Sequence, residues 1–245
     1  MWGADVENAW VFMRFHVVPI ITMFMAPGSH AYGVCRLPAN GGAVLAANHL
    51  SAIDPALVGS FSSRALWYMT KAELLEMPFV GEALSWTGAF PIRRGESDRE
   101  GLRRARELVR EGRIVGVFVE GTRQRFGYPA DEIHAGALSI AVREGVPVIP
   151  CAVESFGWSR TNRRACCVVY GEQISLAGIP ANGRGYRAAA EVTRREIFRL
   201  WRQAAEAVSA GFPATLPDGT ERESWPRAWD FRRVRPAPRR VSGLD

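Results

Sequence analysis

An α/β fold, with a mostly parallel central sheet flanked by helices, is predicted by three observations. Apolar runs of strand length alternate along the chain with amphipathic stretches of helix length. Polar and basic side chains gather within a few residues of where those runs end. The composition, 47% hydrophobic and 23% charged over 245 residues, is ordinary for a globular domain large enough to bury a substantial core.

The elements follow in order. Residues 10–26 are apolar apart from Arg14, His16 and Thr22, and Pro19 interrupts them. A spanning helix needs about 20 apolar residues in a row, which this stretch lacks. No small-residue cleavage site of a signal peptide follows it. An interfacial helix fits, with Trp10, Phe12, Phe15 and Phe24 dipping into lipid; the alternative is a core helix packed on the domain. Strand-like runs lie at 43–47, 65–69, 88–92, 114–119, 146–153 and 165–170. A helix is expected over 98–111, with Leu102, Ala105, Leu108 and Val109 on one face, Ser97 as cap and Gly112 as stop. A second spans 133–143 and stops at Gly145. A long amphipathic helix over 186–208 turns Ile197, Leu200, Trp201, Ala204 and Val208 inward. Strand, helix, strand in repetition implies right-handed crossovers and parallel pairing. After Gly211 the composition turns to Pro, Arg and Gly, as in an extended or disordered tail. The expected division is an N-terminal membrane-associating segment (1–32), an α/β domain (33–211) and a basic Pro/Arg-rich tail (212–245).

The net charge is +6, and residues 222–245, with seven Arg against three acids, supply +4 of it. A basic surface suits phosphorylated substrates, anionic lipid or nucleic acid. Neither zinc-finger spacing nor an aromatic–basic recognition strand is present, so nucleic acid is not expected. Cys35, Cys151, Cys166 and Cys167 form no C-x-x-C pair and read as reduced structural thiols in a cytosolic setting. There is no Gly-x-Ser-x-Gly elbow and no P-loop, which removes an α/β-hydrolase and a P-loop nucleotidase. Residues 183–188 spell a dinucleotide fingerprint, but they follow Pro180-Ala181-Asn182 rather than a strand, and a loop before a helix is expected there. His16, His30 and His134 show no metal-ligand spacing, and no metal is expected.

Asn48-His49-Leu50-Ser51-Ala52-Ile53-Asp54-Pro55 carries the chemistry. Ala43 to Ala47 feeds straight into it, so His49 and Asp54 fall on the turn leaving a strand. Histidine is suited to take a proton near neutral pH, and a carboxylate can fix its tautomer. The same letters also describe a helix start, with Asp54 as N-cap and Pro55 at the first helical position. The two readings are compatible. In open parallel sheets ligands bind beyond the carboxyl ends of the strands. His49, Lys71, Arg93, Arg94 and residues 120–123 each follow a strand end by one to four residues. A base, an acid and several cations therefore converge on one edge, as a substrate with an anionic group and a hydroxyl would require. Lys71 is the only lysine in the chain, which hints that a compact ammonium is wanted there.

Four segments in order resemble the glycerolipid acyltransferase family. Residues 48–54 match its Asn-His-x-Ser-x-x-Asp motif at every fixed position. Ile92 and Arg94 match the end of its second motif. Residues 118–124 match Phe-Pro-Glu-Gly-Thr-Arg-Ser except for Val119 and Gln124. Residues 146–150 match a Val-Pro-x-x-Pro core. The resemblance covers residues 33 to 175 and implies acyl transfer from a thioester to 1-acylglycerol-3-phosphate, giving phosphatidic acid. It implies His49 as the base and Asp54 as its orienter, with no acyl-enzyme. Lys71, Arg94, Glu120, Gly121, Thr122 and Arg123 then form the phosphate- and substrate-binding set, Arg94 and Arg123 holding the phosphate. Glu120 is expected to brace the glycine turn or an arginine rather than act as a second base. No cofactor is implied; the donor is acyl-CoA or acyl carrier protein. The implied partners are a lysophospholipid and the membrane surface, at the cytoplasmic face, as a peripheral or monotopic protein. The family expects a basic residue just before the glycine matching Gly136, where this chain has His134-Ala135. The same chemistry on another acceptor, or a catalytically silent lipid-binding protein, are the alternatives; intact His49 and Asp54 argue against the silent one.

Overall fold

The structure, a computed structural model, describes residues 16–78, 80–86, 88–92 and 99–223. Its strands are β1 (His30–Tyr32), β2 (Ala43–Ala47), β3 (Leu66–Lys71), β4 (Phe90–Ile92), β5 (Ile114–Phe118), β6 (Val148–Glu154), β7 (Cys167–Tyr170) and β8 (Arg222–Glu223). Its helices are α1 (Val18–Met25), α2 (Asp54–Phe61), α3 (Ala72–Leu75), α4 (Val80–Trp86), α5 (Arg99–Arg110), α6 (Ala135–Glu144) and α7 (Gly183–Ser209). Trp10, Phe12, Arg14, Phe15, Ser97 and the tail beyond Glu223 lie outside the described residues.

The strands form one sheet in the order β4–β3–β5–β2–β6–β7–β1–β8. The first five run parallel to one another, as the strand–helix alternation predicts. The other edge is mixed: β7 is antiparallel to β6, β1 is parallel to β7, and β8 is antiparallel to β1. β1 and β8 extend the sheet with residues on both sides of the 33–211 span. Residues 212–223 are therefore not simply an extended tail. Register matters for the site. Ala47 pairs with Phe118 on one side and with Cys151 on the other, so β2, β5 and β6 deliver their following loops to the same edge.

β2 shows how the layers are built. All five residues are buried, and their side chains alternate between faces. Ala43, Leu45 and Ala47 join Leu57 and Phe61 of α2 and Ile149 in one layer. Val44 and Ala46 join Leu108 of α5, Leu138 of α6 and Ile197 of α7 in the other. Each such fully buried Leu or Ile contributes about 1.5–3 kcal/mol of apolar transfer.

Two helices depart from the sequence reading in ways that the local chemistry explains. The long helix begins at Gly183 rather than at 186, because the Asn182 side chain caps it, accepting from the Arg184 and Gly185 amides at 3.1 and 3.0 Å. The glycine-rich letters at 183–185 are thus the helix's first turn, not a loop before it. Pro19 does not break the N-terminal helix described here. It sits in the first turn of α1, directly after the π-helical residues 16 and 17, so the helical path continues through it.

α1 has one side packed on the domain and one apolar side in solvent. It packs on α2, with Pro19 and Thr22 buried, and Ser60 donates to the Thr22 hydroxyl at 3.2 Å. Its other side shows Ile20, Ile21, Met23 and Phe24 to solvent, Phe24 being 65% exposed. Among the described residues no helix is long and apolar enough to cross a membrane.

Candidate active site

The turn after β2 is stapled before it bears any chemistry. Asn48 is fully buried and pairs reciprocally with the Val153 backbone of β6: its amide donates to the carbonyl at 3.0 Å and accepts from the N–H at 2.8 Å. His49 follows. Its own N–H donates to Glu120 Oε2 at 2.7 Å, and its carbonyl accepts from the Gln124 amide at 2.8 Å. The backbone of the histidine is thereby tied to the loop leaving β5.

The His49 ring faces Asp54, with Nδ1 2.8 Å from Oδ2. Asp54 is fully buried. Oδ2 also accepts from the Leu50 and Ser51 amides at 2.7 and 2.8 Å. Oδ1 accepts from the Ser51 and Ser155 hydroxyls at 2.7 and 2.5 Å. Two amides and two hydroxyls thus donate to this carboxyl group, and the ring nitrogen completes the set as a fifth donor. Nδ1 must then carry the proton it donates to Oδ2, and Nε2 of a neutral ring keeps its lone pair. The His49 side chain is 18% exposed, enough for a reacting group to approach. Phe118 supports the ring from one side with centroids 4.3 Å apart, and Tyr68 stacks on Phe118 in turn. The helix-start reading holds with a shift of one residue. Ile53 is the N-cap of α2, Asp54 is its first residue, and the Asp54 carboxylate reaches back out of the helix to residues 49–51.

Glu120 is the second buried carboxyl group, 6% exposed. It accepts from the amides of His49 and Ala130, both at 2.7 Å. Burial pushes its pKa up to about 7; the two amide bonds oppose that, and the Asp54 charge adds to it. Glu120 does brace the turn, yet its partners are two backbone amides rather than an arginine. Gly121 next to it has φ +66, and a Cβ there would lie 2.6 Å from His134 Nε2. The glycine serves both a left-handed turn and the close approach of an imidazole.

Thr122 and Arg123 are exposed on the same turn, and Lys71 is exposed at the last position of β3. β3, β5 and β2 are parallel neighbours, so these side chains rise from the edge that bears His49. Of the sequence-selected set, hydrogen bonds join His49 directly to Asp54 and Glu120. Lys71, Gly121, Thr122 and Arg123 share its edge, and Arg94 lies outside the described residues. Ser155, Phe118 and Tyr68 were missed. Ser155 immediately follows the end of β6, so the strand-end rule that selected Glu120 would have found it. Among the described residues no cluster of His, Cys, Asp and Glu is arranged to hold a metal.

This geometry can be set beside known proteins. The acyltransferase family profile matches residues 30–154, just over half of the chain. The chain is 28% identical over 170 residues to the 1-acyl-sn-glycerol-3-phosphate acyltransferase of Bacillus subtilis, covering 67% of this chain and 84% of that protein. It is 32% identical over 108 residues to the lyso-ornithine lipid O-acyltransferase of Pseudomonas aeruginosa, covering 44% of this chain and 41% of that one. The fold resembles the crystal structure of the 1-acyl-sn-glycerophosphate acyltransferase PlsC from Thermotoga maritima, with a TM-score of 0.60 and 22% identity over 80% of this chain and 79% of that one. By the extent of the family match, which spans β1 to the end of β6 and includes His49, Asp54 and Glu120, the chain belongs to the acyltransferase family.

Proposed function

We propose that this enzyme moves a fatty acyl group from an acyl thioester to the free hydroxyl of 1-acylglycerol-3-phosphate, giving phosphatidic acid for phospholipid biosynthesis. The observation that carries this reading is the His49–Asp54 pair, whose geometry leaves Nε2 as the base. Among the described residues the His49 ring is bonded to Asp54 and to no serine or cysteine, and in this reading the acceptor hydroxyl itself is the nucleophile. Its oxygen attacks the thioester carbonyl as Nε2 takes its proton. The C–S bond then breaks, and the imidazolium returns that proton to the departing thiolate. Asp54 stabilises the imidazolium between the two steps. Arg123, Arg94 and Lys71 hold the acceptor's phosphate, Arg through its bidentate fork. Gly121 and Thr122 shape the turn beneath that phosphate. The donor is acyl-CoA or acyl carrier protein.

The acceptor lives in a bilayer, so the carboxyl edge of the sheet works at a membrane surface, on the cytoplasmic face, as a peripheral or monotopic protein. The segment before residue 33 supplies one membrane contact through the exposed apolar side of α1, the α/β domain supplies the chemistry, and the basic residues after 223 form a tail. Replacing Ile21 and Phe24 together with Ser should weaken vesicle sedimentation without unfolding the domain, since both side chains face outward. Unchanged sedimentation would remove α1 from the membrane contact.

A second acceptor reading is supported by the Pseudomonas aeruginosa relative, named for a lyso-ornithine lipid, and by His134-Ala135 where the family expects a basic residue. An acceptor panel decides. Thioester consumption should be fastest with lysophosphatidic acid; a faster rate with an unphosphorylated lysolipid would overturn the phosphate assignment.

A further inference from the structure

Large apolar side chains at the surface are not scattered over this protein. Among the described residues, all except Val192 and Phe198 lie either on α1 or just beyond the carboxyl ends of β3, β5 and β6. The densest group belongs to two loops whose side chains the chemistry above does not use, residues 124–130 after β5 and 156–165 after β6. Phe126 is 78% exposed, Tyr128 46% and Phe156 43%. The rings of Phe126 and Tyr128 stack with centroids 6.2 Å apart. Phe156 is pressed against Gly127, where a Cβ would come within 2.9 Å of its ring and φ is +83. The two loops are therefore built against each other, not merely close in sequence to the same edge.

Their charge is one-sided. Residues 122–130 and 155–165 contain Arg123, Arg125, Arg160, Arg163 and Arg164 and no Asp or Glu, the nearest acids in the first loop being Asp131 and Glu132, which follow directly. All five are exposed. Arg164 is fixed beside the aromatic group, donating to the Phe156 carbonyl at 2.8 Å. The patch is also continuous with α1 and with the catalytic pair. Trp158 donates its indole N–H to the Met25 carbonyl at the end of α1, 2.8 Å away, and Ser155 donates to Asp54.

Exposed aromatics set among arginines, with no acid between them, fit one kind of surface well. Rings enter the acyl–headgroup boundary while guanidinium groups meet anionic headgroups. We propose that loops 124–130 and 156–165 are a second membrane contact that docks on anionic bilayers and seats the mouth of the site against the lipid, independently of the N-terminal segment. An acidic carrier protein would use the same arginines, but it would not require a ring as exposed as Phe126. The proposal rests on the lipid acceptor assigned above.

The test uses the full chain and vesicles of phosphatidylcholine with or without phosphatidylglycerol. Turnover is followed in parallel on a short-chain, water-soluble lysophosphatidic acid. Phe126→Ser with Tyr128→Ser should weaken binding to both vesicle types by about tenfold, and Phe126→Trp should retain it. Arg160→Ala with Arg163→Ala should weaken binding to the anionic vesicles only and flatten its salt dependence. Soluble-acceptor turnover should stay near wild type in all of these variants, which also reports that the domain is folded. Wild-type vesicle binding by both double variants would overturn the proposal. So would normal binding with a raised KM for acyl carrier protein, which would make the donor's carrier the occupant. If the unaltered enzyme consumes no phosphorylated acceptor yet the vesicle results hold, the acceptor assignment fails and the docking surface stands.

Discussion

Two buried carboxyl groups grip the same histidine from opposite ends, and they are treated differently. Asp54 receives the His49 ring, two amides and two hydroxyls. Glu120 receives two amides, one of them from His49 itself, and burial lifts it to about 7. Asp54 is a fixed negative charge that holds a tautomer. Glu120 fixes where the backbone of His49 lies and joins it to the loop carrying Arg123, but its own charge is poorly compensated. The comparison separates electrostatic support of a base from mechanical support of its position.

The strongest way to break that comparison is to remove the shared residue. His49→Ala should abolish turnover on every acceptor while the far-ultraviolet circular dichroism stays unchanged. Near-normal activity in the purified variant would end the proposed mechanism. Asp54→Asn comes next. It should lower kcat by roughly 10²–10⁴, because an amide in that place no longer fixes the proton on Nδ1 or balances the imidazolium. A loss confined to KM would mean that Asp54 acts on substrate binding and not through the ring.

On the Glu120 side, Arg123→Ala should cost roughly 2–4 kcal/mol in kcat/KM for a phosphorylated acceptor and much less for an unphosphorylated lysolipid. Equal losses on both would move Arg123 from phosphate binding to turn structure. The smallest effect expected is on stability against pH. The folded protein holds a proton on Glu120 more tightly than the unfolded chain does, since its value rises from 4.5 to about 7. Stability from this group is therefore fully present below pH 4.5 and is lost as pH rises to about 7, on the order of 1–3 kcal/mol. Glu120→Gln should flatten that part of the urea-unfolding profile. A slope identical to that of the unaltered protein would show that Glu120 is not the group responsible.

How much of this was legible beforehand varies with the range of the interactions. The central parallel strands β2, β5 and β6 announced themselves, because strands buried on both faces are near-continuous apolar runs such as Ala43 to Ala47. β1 and β8, three and two residues long, have no local signature; only pairing with β7 and with each other makes them strands. The site divides in the same way. His49 and Asp54 are five apart on one turn, and their spacing betrays them. Ser155 meets Asp54 across 101 residues, and Asn48 meets Val153 across 105, so only the fold could join them. Glu120 was selected by its place after β5, but that its partners would be amides rather than guanidinium groups depends on where Ala130 returns.

The mixed edge of the sheet also has a consequence for how the protein is made. β1 pairs with β7 at a separation of more than a hundred residues, and β8 closes on β1 from near the other end of the domain. Contacts this remote in sequence slow folding, because the intervening chain must be ordered before they form. A ribosome extends the chain by about 5–20 residues each second. The segment that carries α1 therefore emerges many seconds before Cys167 or Arg222 exists to complete the sheet beside it. During that interval β1, directly after α1, has neither of its strand partners. A nascent chain arrested between β6 and β7 should remain protease-sensitive at residues 26–36, and one arrested well beyond residue 223 should be protected there.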